Sequence, residues 1–321
     1  MAVDLANPEM KKTREGFGRA LVELGEKDER IVVLVGDLSD STMVSFFEKR
    51  FPDRFIECGI AEQNMTNIAA GLAVTGKIPF YSTYGAFASL RGGDQLRVTV
   101  CYTDLNVNVG GAHGGISVGP DGATHQAMEE ISCMRVMPNM QVCVPADFWE
   151  TKKATMTAAY IDHPCYIRFG RENVPVVTDE STPFTWGKGY VMRDGGDVAL
   201  LACGPMVYES LVAAEELAKE GIDARVVNIH TVKPIDRELI VKCAKECGAI
   251  VTAEEHQVYG GFGGAISEVV VQEYPVPVEF VAVMDRFGVS GKPEELMHMF
   301  GIKAPNIVSA AKKALSRKRG K

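Results

Sequence analysis

Two periods alternate along this chain. Short apolar runs such as Ile31–Val35 (IVVLV) and Val198–Ala202 (VALLA) give way to stretches where apolar residues return every three or four positions. Unbroken apolar runs suit strands covered on both faces, and the longer period suits helices laid across them. The pattern predicts a helix over Lys11–Gly25, a strand at Ile31–Val35, and a short helix carrying Phe46, Phe47 and Phe51 before Pro52. Phe55–Glu57 follows as an extended segment. From Ile60 to Thr75 the residues Ala61, Met65, Ile68, Ala69, Leu72 and Ala73 keep a helical period, and Lys77–Tyr81 starts the next strand. Asn106–Val109, Met140–Val144 and Ile167–Phe169 read as further buried strands. Pro175–Lys188 is rich in Pro, Thr, Ser and acidic residues, has neither period, and reads as a connector. Beyond it come a strand at Val198–Ala202, a helix at Met206–Lys219, strands at Ala224–Asn228 and Ile250–Thr252, and a helix at Gly264–Val271. The expectation is α/β: two consecutive three-layer α/β domains with mainly parallel sheets, residues 1–175 and 191–321, joined by a linker over 176–190.

Composition narrows the function classes. The chain has 321 residues, 46% of them hydrophobic and 24% charged, as in a soluble globular protein. A formal net charge of -8 argues against nucleic acid as a partner, because phosphate binding wants a basic field. The basic tail Lys312–Lys321 reads as a frayed, solvated helix end. No apolar run reaches the ~18 residues of a membrane span, and the N-terminus has no apolar core of a secretory signal. Eight scattered cysteines suit reduced thiols and a cytoplasmic location rather than a disulfide framework. Cys243 and Cys247 lack a second pair for a zinc site and read as packing residues; no metal ligands are assigned within this chain.

Candidate chemistry gathers at a few points. Glu62 stands in the first turn of a predicted helix, displaced from its apolar stripe, where the helix dipole alone would favour an acid. Gly59, Gln63 and Asn64 beside it make a ligand-facing role the alternative. Gly110–Gln126 (GGAHGGISVGPDGATHQ) sets six glycines around His113, Asp121 and His125. Such glycine density suits a ligand pressed against backbone, although glycine-rich surface loops also exist. The imidazoles can donate to, or relay protons with, substrate oxygens near neutral pH. Phe80, Tyr81, Tyr84 and Phe87 form an aromatic set that is either core or a stacking wall. Arg168 and Arg171 flank a strand end and are either solubilising charge or an anion clamp. Asp37, in Gly36-Asp37-Leu38-Ser39, lies where parallel sheets bind ligands, beyond a strand's carboxyl end. In the second half, His230, Glu254, Glu255 and His256 precede Gly260–Gly264 (GGFGG), which lacks the order of a nucleotide-binding loop and reads as helix entry or subunit contact.

Two of these segments, ECGIAEQNM around Glu62 and SVGPDGATHQAMEE around Asp121 and His125, resemble the C-terminal half of the transketolase family, and the likeness covers nearly the whole chain. The resemblance implies a thiamine diphosphate enzyme that transfers a two-carbon ketol unit between sugar phosphates. It assigns Glu62 to the N1' atom of the aminopyrimidine, and Tyr84 and Phe87 to the wall around that ring, with Phe87 the better stacking candidate. Asp37 joins the cofactor-binding set. His113, Asp121 and His125 become substrate contacts, the two histidines also catalytic, and RFGREN favours Arg171 over Arg168 for a sugar phosphate. Ala61 and Gln63 flank the glutamate as in deoxyxylulose-phosphate synthase, and Leu90 stands where an aromatic is common. No GDG segment followed by an Asn-containing metal loop occurs. The resemblance therefore implies a split enzyme, whose N-terminal-half partner subunit binds the diphosphate and the divalent metal (Mg or Ca), assembled as a dimer of heterodimers. The alternatives are a beta-type subunit of a decarboxylating thiamine enzyme, either synthase-like or a 2-oxo-acid dehydrogenase, and a non-catalytic scaffold.

Overall fold

The chain enters through a short strand, β1 (Met10–Lys12), and a long helix, α1 (Thr13–Lys27), in a computed structural model that describes residues 4–319. Strands β2 (Ile31–Val35), β3 (Phe55–Glu57), β4 (Ile78–Tyr84), β5 (Asn108–Ala112), β6 (Gln141–Cys143) and β7 (Cys165–Arg168) then alternate with helices. The helices are α2 (Ser45–Arg50), α3 (Glu62–Val74), the single turn α4 (Gly93–Gln95), α5 (Glu130–Val136) and α6 (Phe148–Ala158). β8 (Asn173–Pro175) returns to pair antiparallel with β1. The second half holds β9 (Tyr190–Arg193), β10 (Val198–Ala202), β11 (Ala224–Asn228), β12 (Thr231–Lys233), β13 (Ile250–Gln257) and β14 (Val278–Val283). Its helices are α7 (Met206–Lys219), α8 (Arg237–Cys247), α9 (Phe262–Glu273), α10 (Pro293–Met299) and α11 (Ala304–Arg319).

Two sheets result. The first runs β12-β6-β7-β5-β4-β2-β3 and is parallel except for β12; the second runs β14-β13-β10-β11-β9 and is parallel except for β9. Alternation along each strand sends neighbours to opposite faces. Val33, Phe80, Cys143 and Ile167 face a cluster with Phe17, Leu21 and Leu24 of α1. Leu34, Tyr81, Val109, Val142 and Tyr166 face the other way, into a cluster shared with Leu201 and Val227 of the second sheet. Helix α1 alone buries Phe17, Leu21 and Leu24 completely, each worth about 1.5–3 kcal/mol. A one-residue slip of any central strand would exchange both faces, so the register is firmly set.

Four features go beyond the sequence reading. The stretch Phe87–Cys101 is helical, with π-helical turns over Phe87–Arg91 and Leu96–Cys101 on either side of α4. Bonds from Gly92 N–H to the Phe87 carbonyl and from Tyr102 N–H to the Arg97 carbonyl span five residues, so the apolar positions never settle into a 3.6-residue period. Residues 231–233 cross back to pair with β6 of the first sheet, so the two sheets are not wholly built from their own stretches of chain. The basic tail is also docked rather than frayed. Ala314 and Leu315 are buried, Lys313 and Arg317 pair with Glu279, and Lys312 pairs with Glu220. Only positions 320 and 321 of that tail lie outside the described residues. The connector is pinned as well: the buried Asp147 carboxylate accepts from Val177 N–H, Thr178 N–H and the Thr178 hydroxyl.

Candidate functional site

Five adjacent parallel strands, β7-β5-β4-β2-β3, end along one edge of the first sheet, and the candidate residues hang from that edge. Beyond β3, the Glu57 carboxylate accepts from the backbone N–H groups of Asp37 and Gly59, each at 2.8 Å. This ties the end of β2 to the entry of α3. Gly59 has φ +67 there, and a Cβ on Gly36 would stand 2.7 Å from the Gly59 carbonyl oxygen, so both positions need glycine. The tight entry puts Glu62 at the first position of α3 and folds its side chain inward, leaving it 4% exposed. The Nη1 of Arg91 donates to both carboxylate oxygens at 2.9 Å. Asp37 is exposed at the end of β2, with φ 57. The contact the structure gives it is its backbone N–H to Glu57.

The next strand ends bring four rings together. The Tyr84 ring at the end of β4 lies 4.0 Å from the His113 ring beyond β5, and 5.7 Å from Phe87. His125 meets Tyr84 at 5.6 Å and Phe87 at 5.3 Å, edge-on to both, and its Nδ1 is 2.8 Å from the Thr124 hydroxyl. Beyond β7, Arg171 pairs with Asp121 at 2.7 Å. Tyr84, Phe87, His113, Asp121, His125 and Arg171 therefore form one constellation. Arg91, stacked 4.3 Å over Phe87, links it to Glu62. Phe80 and Tyr81 belong to the core.

His113 stands apart from the other ring side chains. It is buried, holds φ 56, and its Nδ1 lacks a hydrogen-bond partner. Burial, with the nearby charges of Arg14 and Arg171, pushes its pKa down to about 3. The imidazole is thus neutral near pH 7, with a ring nitrogen left to hydrogen-bond a ligand. Arg14 and Arg91 are residues that sequence reasoning missed. Arg14 lies in the first turn of α1, donates from Nη1 to the Ser41 carbonyl at 2.7 Å, and keeps a buried, unpartnered Nε. Burial first, then the charge of Arg171, lower its pKa. On a helical period it reads as ordinary surface charge; only the fold brings it to the site.

The second domain holds the glycine-rich loop from behind. The Gln126 amide donates to the carbonyls of Ile116 at 3.1 Å and Val289 at 3.0 Å, and Ser117 N–H donates to Glu255 at 2.6 Å. Arg168 is buried in a pair with Glu130 and donates to the Glu255 carbonyl, so it braces the domain junction and is not free for a ligand. Glu254 accepts from the N–H groups of Phe262 and Gly263 at 2.7 and 2.8 Å, which makes the GGFGG segment the entry of α9. His230 stacks on Phe184 at 4.4 Å, and burial lowers its pKa to about 4. His256 is buried between Glu130 and Glu254, away from the rings. Among the described residues, no group of three or more His, Cys, Asp or Glu side chains is placed to hold a metal.

Residues 9–177 match the family model of the transketolase pyrimidine-binding domain, and residues 187–307 that of the transketolase C-terminal domain. The chain belongs to the transketolase family. Among its relatives, a protein of Methanocaldococcus jannaschii described as a putative transketolase C-terminal section is 43% identical over 92% of this chain and 94% of its own length. The 6-deoxy-6-sulfo-D-fructose transketolase subunit SqwH of a Clostridium species is 44% identical over 95% of each chain. A solved structure described as a split gene transketolase, inactive beta4 tetramer, superposes with a TM-score of 0.90 at 49% identity, covering 96% of this chain and 99% of that one. Within the transketolase family, the edge that carries Glu62 and the rings belongs to the pyrimidine-binding domain.

Proposed function

We propose that this chain is the C-terminal subunit of a two-component, thiamine diphosphate-dependent transketolase that moves a two-carbon ketol unit between sugar phosphates. The observation that carries the reading is a buried carboxylate, Glu62, opposite a single replaceable cation and next to an aromatic wall. That arrangement fits a flat, nitrogen-bearing ring, whose N–H would take the place of the guanidinium. When bound, thiamine diphosphate supplies the carbanion chemistry that breaks and forms the carbon–carbon bond. The chain's own residues orient and select. Glu62 would hold a proton on N1' in a dry setting, where a charged hydrogen bond is stronger than in water. Phe87 would stack on the ring, with Tyr84 behind it and Asp37 at the neighbouring strand end. Neutral His113, His125 and Asp121 would contact substrate hydroxyl and carbonyl groups. Arg171, together with Arg14, would take the anionic end of the sugar.

An N-terminal-half subunit is assigned as obligate partner, binding most of the diphosphate and the Mg or Ca ion. Two comparisons agree with a separate subunit, one named a transketolase subunit and the other a split-gene form. The tetramer of the split-gene relative supports self-association, here assigned to a dimer of heterodimers. Among the described residues no helix is long and apolar enough to cross a membrane, and a cytoplasmic location is part of the proposal. The sulfo-sugar named for one relative carries a sulfonate where a sugar phosphate carries its phosphate, and an arginine pair accommodates either anion. The test is reconstitution with a co-purified partner, thiamine diphosphate and magnesium, followed by a ketose and aldose screen. Glu62→Ala should abolish turnover while the isolated chain keeps its circular dichroism, and the isolated chain should show little activity. Full turnover by the variant, or faster consumption of a 2-oxo acid than of any ketose, would replace this reading.

A further inference from the structure

Glu62 is almost wholly buried, and an unpaired carboxylate in such a place is costly to maintain. The chain alone meets that demand with Arg91, whose Nη1 lies 2.9 Å from each carboxylate oxygen. The same guanidinium lies over the Phe87 ring, its central carbon 4.3 Å from the ring centroid. A guanidinium is planar and cationic, donates N–H to carboxylates and stacks on aromatic faces. A protonated aminopyrimidine has the same four properties. Both would claim the same carboxylate and the same ring face, and the two claims exclude each other. Arg91 is also free to leave: its side chain is 47% exposed, against 4% for Glu62, so it can swing into solvent without uncovering the core. It ends a π-helical turn, Phe87–Arg91.

We infer that Arg91 is a built-in placeholder for the cofactor's aminopyrimidine ring, closing the Glu62–Phe87 pocket until the ring displaces it. The inference rests on the functional reading above and adds a regulatory contact to it. A closed pocket lowers apparent affinity by the fraction of molecules that are open. For a half-exposed ion pair that factor is about fivefold.

The test is calorimetric titration of thiamine diphosphate with magnesium into the complex reconstituted with the partner subunit, alongside thermal unfolding of the isolated chain. Arg91→Met should tighten cofactor binding about fivefold and lower the unfolding temperature of the isolated chain, two effects of opposite sense. In a Glu62→Gln background the gain from Arg91→Met should vanish, because the pair no longer exists. Unchanged or weaker cofactor binding by Arg91→Met overturns the placeholder, since a purely structural or cofactor-contacting arginine would give that result. If Glu62→Gln binds the cofactor as tightly as the unmodified complex, the assignment of Glu62 to the ring falls instead.

Discussion

Acidification should destabilise this chain through His113, and replacing that residue should remove the effect. The ring is buried, and its pKa falls from 6.5 to about 3 through burial and the charges of Arg14 and Arg171. For a base held below its ordinary value, the unfolded chain takes up the proton that the folded chain refuses. The stability is therefore complete above pH 6.5, is lost progressively below it, and levels off near pH 3. At about pH 5 the unfolded imidazole lies ~1.5 units below its midpoint, which at about 1.4 kcal/mol per unit amounts to roughly 2 kcal/mol. His113→Asn is the suitable control, because Asn tolerates the left-handed φ of 56 that this position requires. Chemical unfolding of both proteins near pH 7.5 and pH 5 should show the wild type losing about 2 kcal/mol more than the variant. Other groups titrate equally in both and cancel. In parallel, the His113 ring signal in a proton NMR titration should stay neutral down to about pH 4. A His113 midpoint above pH 6, or equal acid sensitivity of the two proteins, would refute the electrostatic picture of the site.

Three further outcomes follow from the same contacts. Arg168→Met removes one partner of a buried pair and strands Glu130; it should cost about 3–5 kcal/mol in denaturant unfolding, whereas a loss below ~1 kcal/mol would mean the junction is wet. Gly115→Ala sets a methyl group 2.3 Å from the Glu255 carboxyl carbon at φ +94; a loss of about 2–4 kcal/mol is expected, since overpacking and left-handed strain combine. Arg171→Ala should raise KM for phosphorylated or sulfonated sugars roughly tenfold or more and leave unphosphorylated sugars nearly unaffected, measured in the reconstituted complex; an equal loss for both would place the anion elsewhere.

The alternating periods were enough to read the α/β class and most central strands. Ile31–Val35 and Val198–Ala202 are five-residue apolar runs that occur as strands with those same bounds, because full burial on both faces leaves no polar position. Local rules failed where spacing was unusual. The helical turns of Phe87–Cys101 escaped because π-helical pitch blurs the period, and the docking of the tail escaped because its ion pairs reach Glu220 and Glu279, far away in sequence. The site divides in the same way. Glu62, His113, Asp121 and His125 were singled out in the sequence by their polar, glycine-rich surroundings, and the fold sets all four along one sheet edge.

The order of residues thus determined the candidate groups and that they follow strands of a parallel sheet. Tertiary structure alone decided the rest: that Arg14 joins the site, that His113 is neutral, that Arg168 is structural, and that Arg91 lies on Glu62. Burial and charge at a point are sums over everything packed around it, and most of those neighbours come from distant parts of the chain.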